Sequence, residues 1–163
     1  MTQKIASQSK NVQVVLDDID RQILNQLSEN ARISNAELAS ACGIAQSTCI
    51  TRVRNLVNNK IITGFTAKLD RRKVGLSNQV LISVTLRAGA RAHLADFMAQ
   101  MSAHPDVIQV FFLGGQEDFI VHLAAKTSDQ VREFVLENLS NNPTVAATRT
   151  NMVFDHFSKA PTL

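Results

Sequence analysis

No stretch of this 163-residue sequence approaches the roughly twenty apolar residues that a membrane-spanning helix needs. The segment MTQKIASQSK at its start is polar and lacks the hydrophobic region and cleavage site of a secretory signal, so the cytoplasm is the expected compartment. Cysteine is scarce. Cys42 and Cys49 both fall where helices are expected and face one small core, which predicts buried free thiols rather than a disulfide or a metal site. His93, His104, His122 and His156 form no spaced ligand pair, so no metal is expected. There is no phosphate-binding glycine loop, no clustered His, Cys and Asp constellation, and no paired carboxylates outside a single turn. An enzyme is therefore not expected, and no cofactor is called for. Short-period repeats and low-complexity tracts are also missing. What the chain does have is 45% hydrophobic residues, enough for two compact cores or one of medium size.

Charge is divided unevenly. Residues 1–73 hold 11 Lys or Arg against 6 Asp or Glu, whereas residues 74–163 hold 6 against 8. The net of +3 is too small to imply nucleic acid by itself, but the asymmetry concentrates positive field in the first half.

That half contains SNAELASACGIAQSTCITRVRNLVNN, which reads as two amphipathic helices hinged at Gly43. Ser34 and Glu37 have the spacing of a capping box, in which each side chain satisfies a backbone donor that the helix start would otherwise orphan. Leu38, Ala39 and Cys42 share one face. Gly43 supplies the positive φ that a sharp turn after a helix commonly requires, and Ile44 plugs the turn. From Ala45 onward Cys49, Ile50, Val53, Leu56 and Val57 form an apolar stripe at helical spacing. Gln46, Ser47, Thr48, Thr51, Arg52, Arg54, Asn55 and Asn58 fill the remaining face, which lacks any acidic residue. A solvated helix face normally mixes Glu with Lys, so this one is better suited to donate to phosphates and base edges in the major groove of double-stranded DNA. Gln46, Ser47, Thr48, Thr51, Arg52, Arg54 and Asn55 are the expected contacts, with Thr51 and Asn55 favoured for bases. Lys60, Lys68, Arg71, Arg72 and Lys73 are expected to flank them.

Ahead of this motif, LDDIDRQILNQLSEN predicts another helix, with Leu16, Ile19, Ile23, Leu24 and Leu27 on one side and Asp17 or Asp18 favouring its start. The first 15 residues are expected to be flexible, although Val12, Val14 and Val15 fit a short extended piece. After the motif, IITGFTAKLD alternates enough to predict a strand linking two domains.

The second half has the order strand, helix, strand, strand, helix, strand: QVLISVTL, RAHLADFMAQMS, VIQVFFL, FIVHLAA, a helix over DQVREFVLENL capped by Ser128, and VAATRTNMVF. This is the split βαβ, ferredoxin-like arrangement, a four-stranded antiparallel sheet with both helices on one face. The opposite face carries several apolar groups and needs a cover, which predicts a homodimer at least.

From about Leu16 to about Phe157 the chain resembles the Lrp/AsnC family of feast/famine transcription regulators. The match is carried by LDDIDRQILNQLSENARIS, by AELA with Gly43, by TRVRNLVNNKIITGFTAKLD and by GGQEDFIV. The resemblance implies an α+β chain: residues 1–15 as an N-terminal segment, 16–62 as a (winged) helix-turn-helix, 63–76 as linking strand and hinge, 77–157 as the ferredoxin-like effector and assembly domain, and 158–163 as a tail. It also implies dimers built through linking strands and paired sheets, associating into higher oligomers, of which the octamer is expected. A small effector, usually an amino acid, would bind at Leu113, Gly114, Gly115, Gln116, Glu117 and Asp118, with Ala146, Thr148 and Thr150 contributed by a neighbouring subunit. Glycine amides suit a carboxylate and a side-chain carboxylate suits an ammonium. Gly114 and Glu117 stand where many relatives have threonine and an aromatic, and Ala45 replaces a frequent capping serine. The reading is a sequence-specific regulator responsive to an amino acid and controlling amino-acid metabolism or transport. A nucleoid-associated architectural protein without an effector is the alternative.

Overall fold

The computed structural model describes residues 15–159 and 162–163. The extended piece expected at Val12 and Val14 lies outside them, while Val15 is exposed. The chain divides into two compact units, one holding residues up to Ala67 together with the tail from Ser158, the other Lys68–Phe157.

The first unit is helical: α1 (Asp18–Glu29), α2 (Asn35–Ala41) and α3 (Gln46–Asn58). Asp17 caps α1, its side chain accepting from the Asp20 N–H while Asp20 returns a bond to the Asp17 N–H, so the two carboxylates form a capping box. Ser34 and Glu37 form the expected one at α2. Beyond α2, Gly43 sits at φ +63°, its N–H donating to the Ser40 carbonyl and the Ile44 N–H to the Ala39 carbonyl. This is a Schellman turn, which satisfies carbonyls that the helix end leaves open. The same pair of bonds follows α3, from Lys60 to Val57 and from Ile61 to Leu56, with Lys60 at φ +60° where glycine is usual. Ile23, Leu38, Ala39, Cys42, Cys49 and Leu56 are buried together, with Leu16, Ile19, Leu24, Leu27 and Val53 packed against them. Both cysteines are free, and burial pushes both thiol pKa values up.

Residues 63–70 differ from expectation. They form no strand, and Phe65 and Leu69 are exposed. Alternation sets the faces of a strand but supplies no hydrogen-bonding neighbour, and the segment has none within the described residues of one chain. No hairpin follows α3 either, so the helix-turn-helix carries no wing among the described residues.

The second unit holds β1 (Asn78–Leu86), a 3₁₀ turn (Ala88–His93), α4 (Leu94–Ser102), β2 (Val107–Phe112), β3 (Phe119–Ala125), α5 (Ser128–Phe134), a π turn (Val135–Ser140) and β4 (Val145–Met152). The strands are antiparallel in the order β2-β3-β1-β4, the split βαβ topology. Val80, Ile82, Val84 and Leu86 of β1 and Phe119, Val121 and Leu123 of β3 point to the helices, where Phe97, Met101, Val131, Phe134 and Leu139 complete the core. Phe119 stacks near both Phe97 and Phe112, with ring centroids 4.8 and 5.3 Å away. The other face presents Leu81, Ser83, Ile120, His122, Phe111, Arg149 and Asn151, by the strand register.

Two local expectations change. Thr127 rather than Ser128 caps α5, accepting from the Gln130 N–H at 3.2 Å, because only the residue before the first helical turn has its side chain free to fold back onto it. The expected single helix also widens into the π turn, where the Asn138 side-chain amide donates to the Phe134 carbonyl and the fully buried Leu139 stays in the core.

Candidate nucleic-acid interface and effector turn

Helix α3 begins at Gln46 after Ala45, which has no hydroxyl or carboxylate to cap it, and Ser47 does not take over that bond. Gln46, Ser47, Thr48, Thr51, Arg54 and Asn55 are all exposed, as their positions opposite Cys49 and Leu56 require. Ser47, Thr48, Thr51, Arg52, Asn55 and Asn59 line an open concavity of about 630 Å³ with Asp20, Leu56 and Ile61. Within it the Thr51 hydroxyl donates to the Ser47 carbonyl at 3.0 Å, which leaves its oxygen as an acceptor toward base amino groups.

Arg52 departs from the rest of the expected DNA face. It is half-buried, and its Nη1 donates to Asp17 Oδ2 and to Asp20 Oδ1, each at 2.8 Å. The Asp20 backbone N–H and then the Arg52 guanidinium hold the Asp17 carboxyl below the ordinary range, and Asp17 and Asp20 together push Arg52 further up. The partners are 32 and 35 positions away in sequence, so no local pattern could announce them. Of the flanking basic residues, Lys60 belongs to the helical unit. Arg72 in the sheet unit donates to the Phe154 carbonyl at 2.8 Å, and Lys73 lies 3.8 Å from Asp70.

The expected effector turn joins β2 to β3. The Leu113 N–H donates to the Asp118 carbonyl at 2.8 Å and closes it; the Asp118 N–H donates to the Val84 carbonyl at 3.0 Å, and the Leu86 N–H donates to the Asp118 side chain at 2.7 Å. Asp118 thus pins the hairpin to the end of β1. Gly114 and Gly115 have ordinary φ, and a Cβ added to either would meet nothing within 4 Å, so the described chain alone sets no need for glycine there. Glu117 lies 3.5 Å from Arg149 of β4, a partner the sequence did not single out. Thr148 pairs with Val84 beside the anchored Asp118, Ala146 is exposed, and Thr150 lies farther along β4 opposite Ile82, in a groove of about 350 Å³ against Val131, Val135 and Leu136. The structure therefore brings residues 113–118 and Thr148 to neighbouring positions across β1 and sets Thr150 apart from them. On the open face His122 bonds the Gln79 side chain at 3.2 Å, and burial, then Arg71 and His156, lower its pKa.

A three-helix unit whose α3 exposes amides, hydroxyls and Arg54, joined to a split βαβ domain with an anchored glycine turn, has the layout of a two-domain helix-turn-helix transcription regulator. Comparison with known proteins gives the same class: residues 16–57 match the AsnC-type helix-turn-helix domain and residues 79–163 the Lrp/AsnC ligand binding domain. The chain belongs to the Lrp/AsnC family. It is 45% identical to the HTH-type transcriptional regulator AldR of Mycolicibacterium smegmatis, over 91% of this chain and 86% of that protein. It is 31% identical to the leucine-responsive regulatory protein of Salmonella typhimurium, over 89% and 88%. Among solved structures, a transcriptional regulator of Neisseria meningitidis in complex with L-Met superposes with a TM-score of 0.83 at 28% identity, covering 91% of this chain and 96% of that one. These relatives are named as transcriptional or regulatory proteins. No helix of the described residues is long and apolar enough to cross a membrane.

Proposed function

We propose that this chain is a sequence-specific regulator whose DNA affinity or assembly responds to an amino acid, controlling genes of amino-acid metabolism or transport. The observation that carries the reading is the exposed face of α3, which itself holds no acidic residue: Ser47, Thr48, Thr51 and Asn55 line one concavity, whose Asp20 is paired with Arg52, and Gln46 and Arg54 are exposed on the same helix. Each phosphate neutralised contributes about −0.9 to the slope of log affinity against log salt.

The effector reading is supported by Gly114 and Gly115, whose surroundings are open, beside the carboxylates of Glu117 and Asp118. Glycine amides are suited to an α-carboxylate and the acidic side chains to an ammonium. Leu113 and Gln116 border this turn, and Ala146, Thr148 and Thr150 are assigned to the pocket from a neighbouring subunit. The named relatives support the ligand class: one is called leucine-responsive and another was solved with L-Met. The partly apolar open face of the sheet, with Leu81, Ile120 and Phe111, fits a homodimer, and exposed Phe65 and Leu69 fit a linking strand that pairs only in that dimer. Further association, to an octamer, completes the reading.

The test is light scattering on a sizing column together with duplex binding, each run without ligand and with each of the twenty amino acids at millimolar concentration. A mass or affinity that changes with one or a few amino acids supports the reading. No response in either, with comparable affinity for random and promoter DNA, transfers the protein to an architectural role.

A further inference from the structure

We propose that Arg52 is a positioning residue rather than a phosphate contact: it clasps the start of α1 and so fixes the rotational setting of α3, whose Thr51 and Asn55 line the reading concavity. The proposal rests on the DNA-binding reading above.

Charge counting favours the clasp. Arg52 meets Asp17 and Asp20 through the same Nη1, so one guanidinium faces two carboxylates and the cluster stays net negative. A phosphate drawn to Arg52 would approach that excess. Arg54, exposed and without an acidic partner among the described residues, has no such barrier.

Geometry favours it too. Both carboxylates are themselves fixed, since Asp17 accepts the Asp20 N–H at 2.8 Å and Asp20 reaches back to the Asp17 N–H at 3.4 Å. Arg52 therefore ties α3 to a rigid helix end instead of a mobile side chain. Arg52 follows Thr51 directly and precedes Asn55 by one turn, so the tie acts at the level of the reading residues. A roll of α3 by about 15° would move a side-chain tip ~5 Å from the axis by roughly 1 Å. That exceeds the tolerance of about 0.5 Å in a hydrogen bond to a base edge.

The experiment uses the full chain, a duplex selected by it from a random library, and a scrambled duplex of the same composition. Affinities for both are measured across a salt series, at temperatures where each variant is folded, for Arg52→Met, Asp20→Asn, their double variant and Arg54→Ala. Arg52→Met and Asp20→Asn are each expected to reduce discrimination between the two duplexes by about fivefold or more, with the salt slope unchanged. The double variant is expected to be no worse than either single one, as for two members of one interaction. Arg54→Ala is expected to flatten the slope by about 0.9.

A flatter slope for Arg52→Met would overturn the proposal, because it marks a lost phosphate contact. Intact discrimination in either folded single variant would also overturn it, since a purely stabilising pair lowers the melting temperature without changing the preference between duplexes. Should Arg52→Met not fold, Asp20→Asn decides by the same criterion. Failure of the unsubstituted chain to bind DNA at all would instead overturn the underlying reading.

Discussion

Six residues make the buried cluster of the helical unit, from Ile23 to Leu56, whereas fifteen make that of the sheet unit, among the described residues. The smaller unit compensates with polar devices: two capping boxes, two Schellman turns and the Arg52 clasp. The clasp lies at the concavity proposed to read DNA, where Asp20 and Arg52 join Thr51 and Asn55 in the lining, so there stability and the proposed recognition draw on neighbouring side chains. In the sheet unit they are apart. Its core is apolar, and the candidate effector residues sit in a turn held by backbone bonds and one aspartate. Substitutions near the first site should alter both properties together, and those at the second should separate them.

The largest effect that sharpens this contrast is expected from Phe119→Ala. Its ring is fully buried between Phe97 and Phe112, and its removal should cost about 3–5 kcal/mol, read by urea unfolding with probes in each unit. Equal loss in the helical unit would break the contrast by showing one cooperative fold.

Helix caps should act on a smaller scale and with opposite signs. Ser34→Ala removes the cap of α2 and should destabilise the helical unit by about 1 kcal/mol, while Ala45→Ser supplies the cap that α3 lacks and should stabilise it by a similar amount. Thermal melts that shift in the same direction for both would contradict the capping argument.

Acidification should separate the units by pH. His122 has a lowered pKa in the fold, so below about 6.5 the unfolded chain binds more protons than the folded one and the sheet unit loses stability as pH falls. In the helical unit the Ser34 hydroxyl lowers Glu37, and the Asp20 N–H with Arg52 lowers Asp17. Their contribution is fully present above the ordinary carboxylate range near about pH 4 and is lost as pH falls through the lower folded values. Amide spectra recorded during titration should show weakening of the sheet unit first; the reverse order would refute the assignment.

The smallest effect is kinetic. Burial raises the pKa of both Cys42 and Cys49, and since the thiolate is the nucleophile, alkylation of the native protein should be slow and should accelerate only as the helical unit opens in urea. Rapid labelling under native conditions would mean that this core is looser than its packing implies.

Features set by neighbours in sequence were legible there. The Ser34 and Glu37 box, the turn at Gly43, the stripe through Cys49 and Leu56, and the alternation of Val80, Ile82 and Val84 each follow from spacing and reappear in the fold. Features set by distant partners were not. Arg52 looked like its neighbours until α1 placed Asp17 and Asp20 against it, and Glu117 had no visible counterpart until β4 carried Arg149 alongside. The stretch from Thr63 to Asp70 has the pattern of a strand without a strand beside it. Asp118 stood out in the sequence as an effector contact, and its bond from the Leu86 N–H depends on β1 lying next to the hairpin.

Lys60 has a further consequence. A non-glycine residue at φ +60° carries a steric cost of about 1 kcal/mol, and here it closes α3 with a positive charge where the helix dipole is negative. Lys60→Gly should therefore relieve the backbone while removing a cation from the half of the chain where positive charge is concentrated. The glycine that removes about 1 kcal/mol of backbone strain also gives up about 0.3–1 kcal/mol of attraction between the ammonium and the helix dipole, so one side chain holds two opposed contributions close to balance.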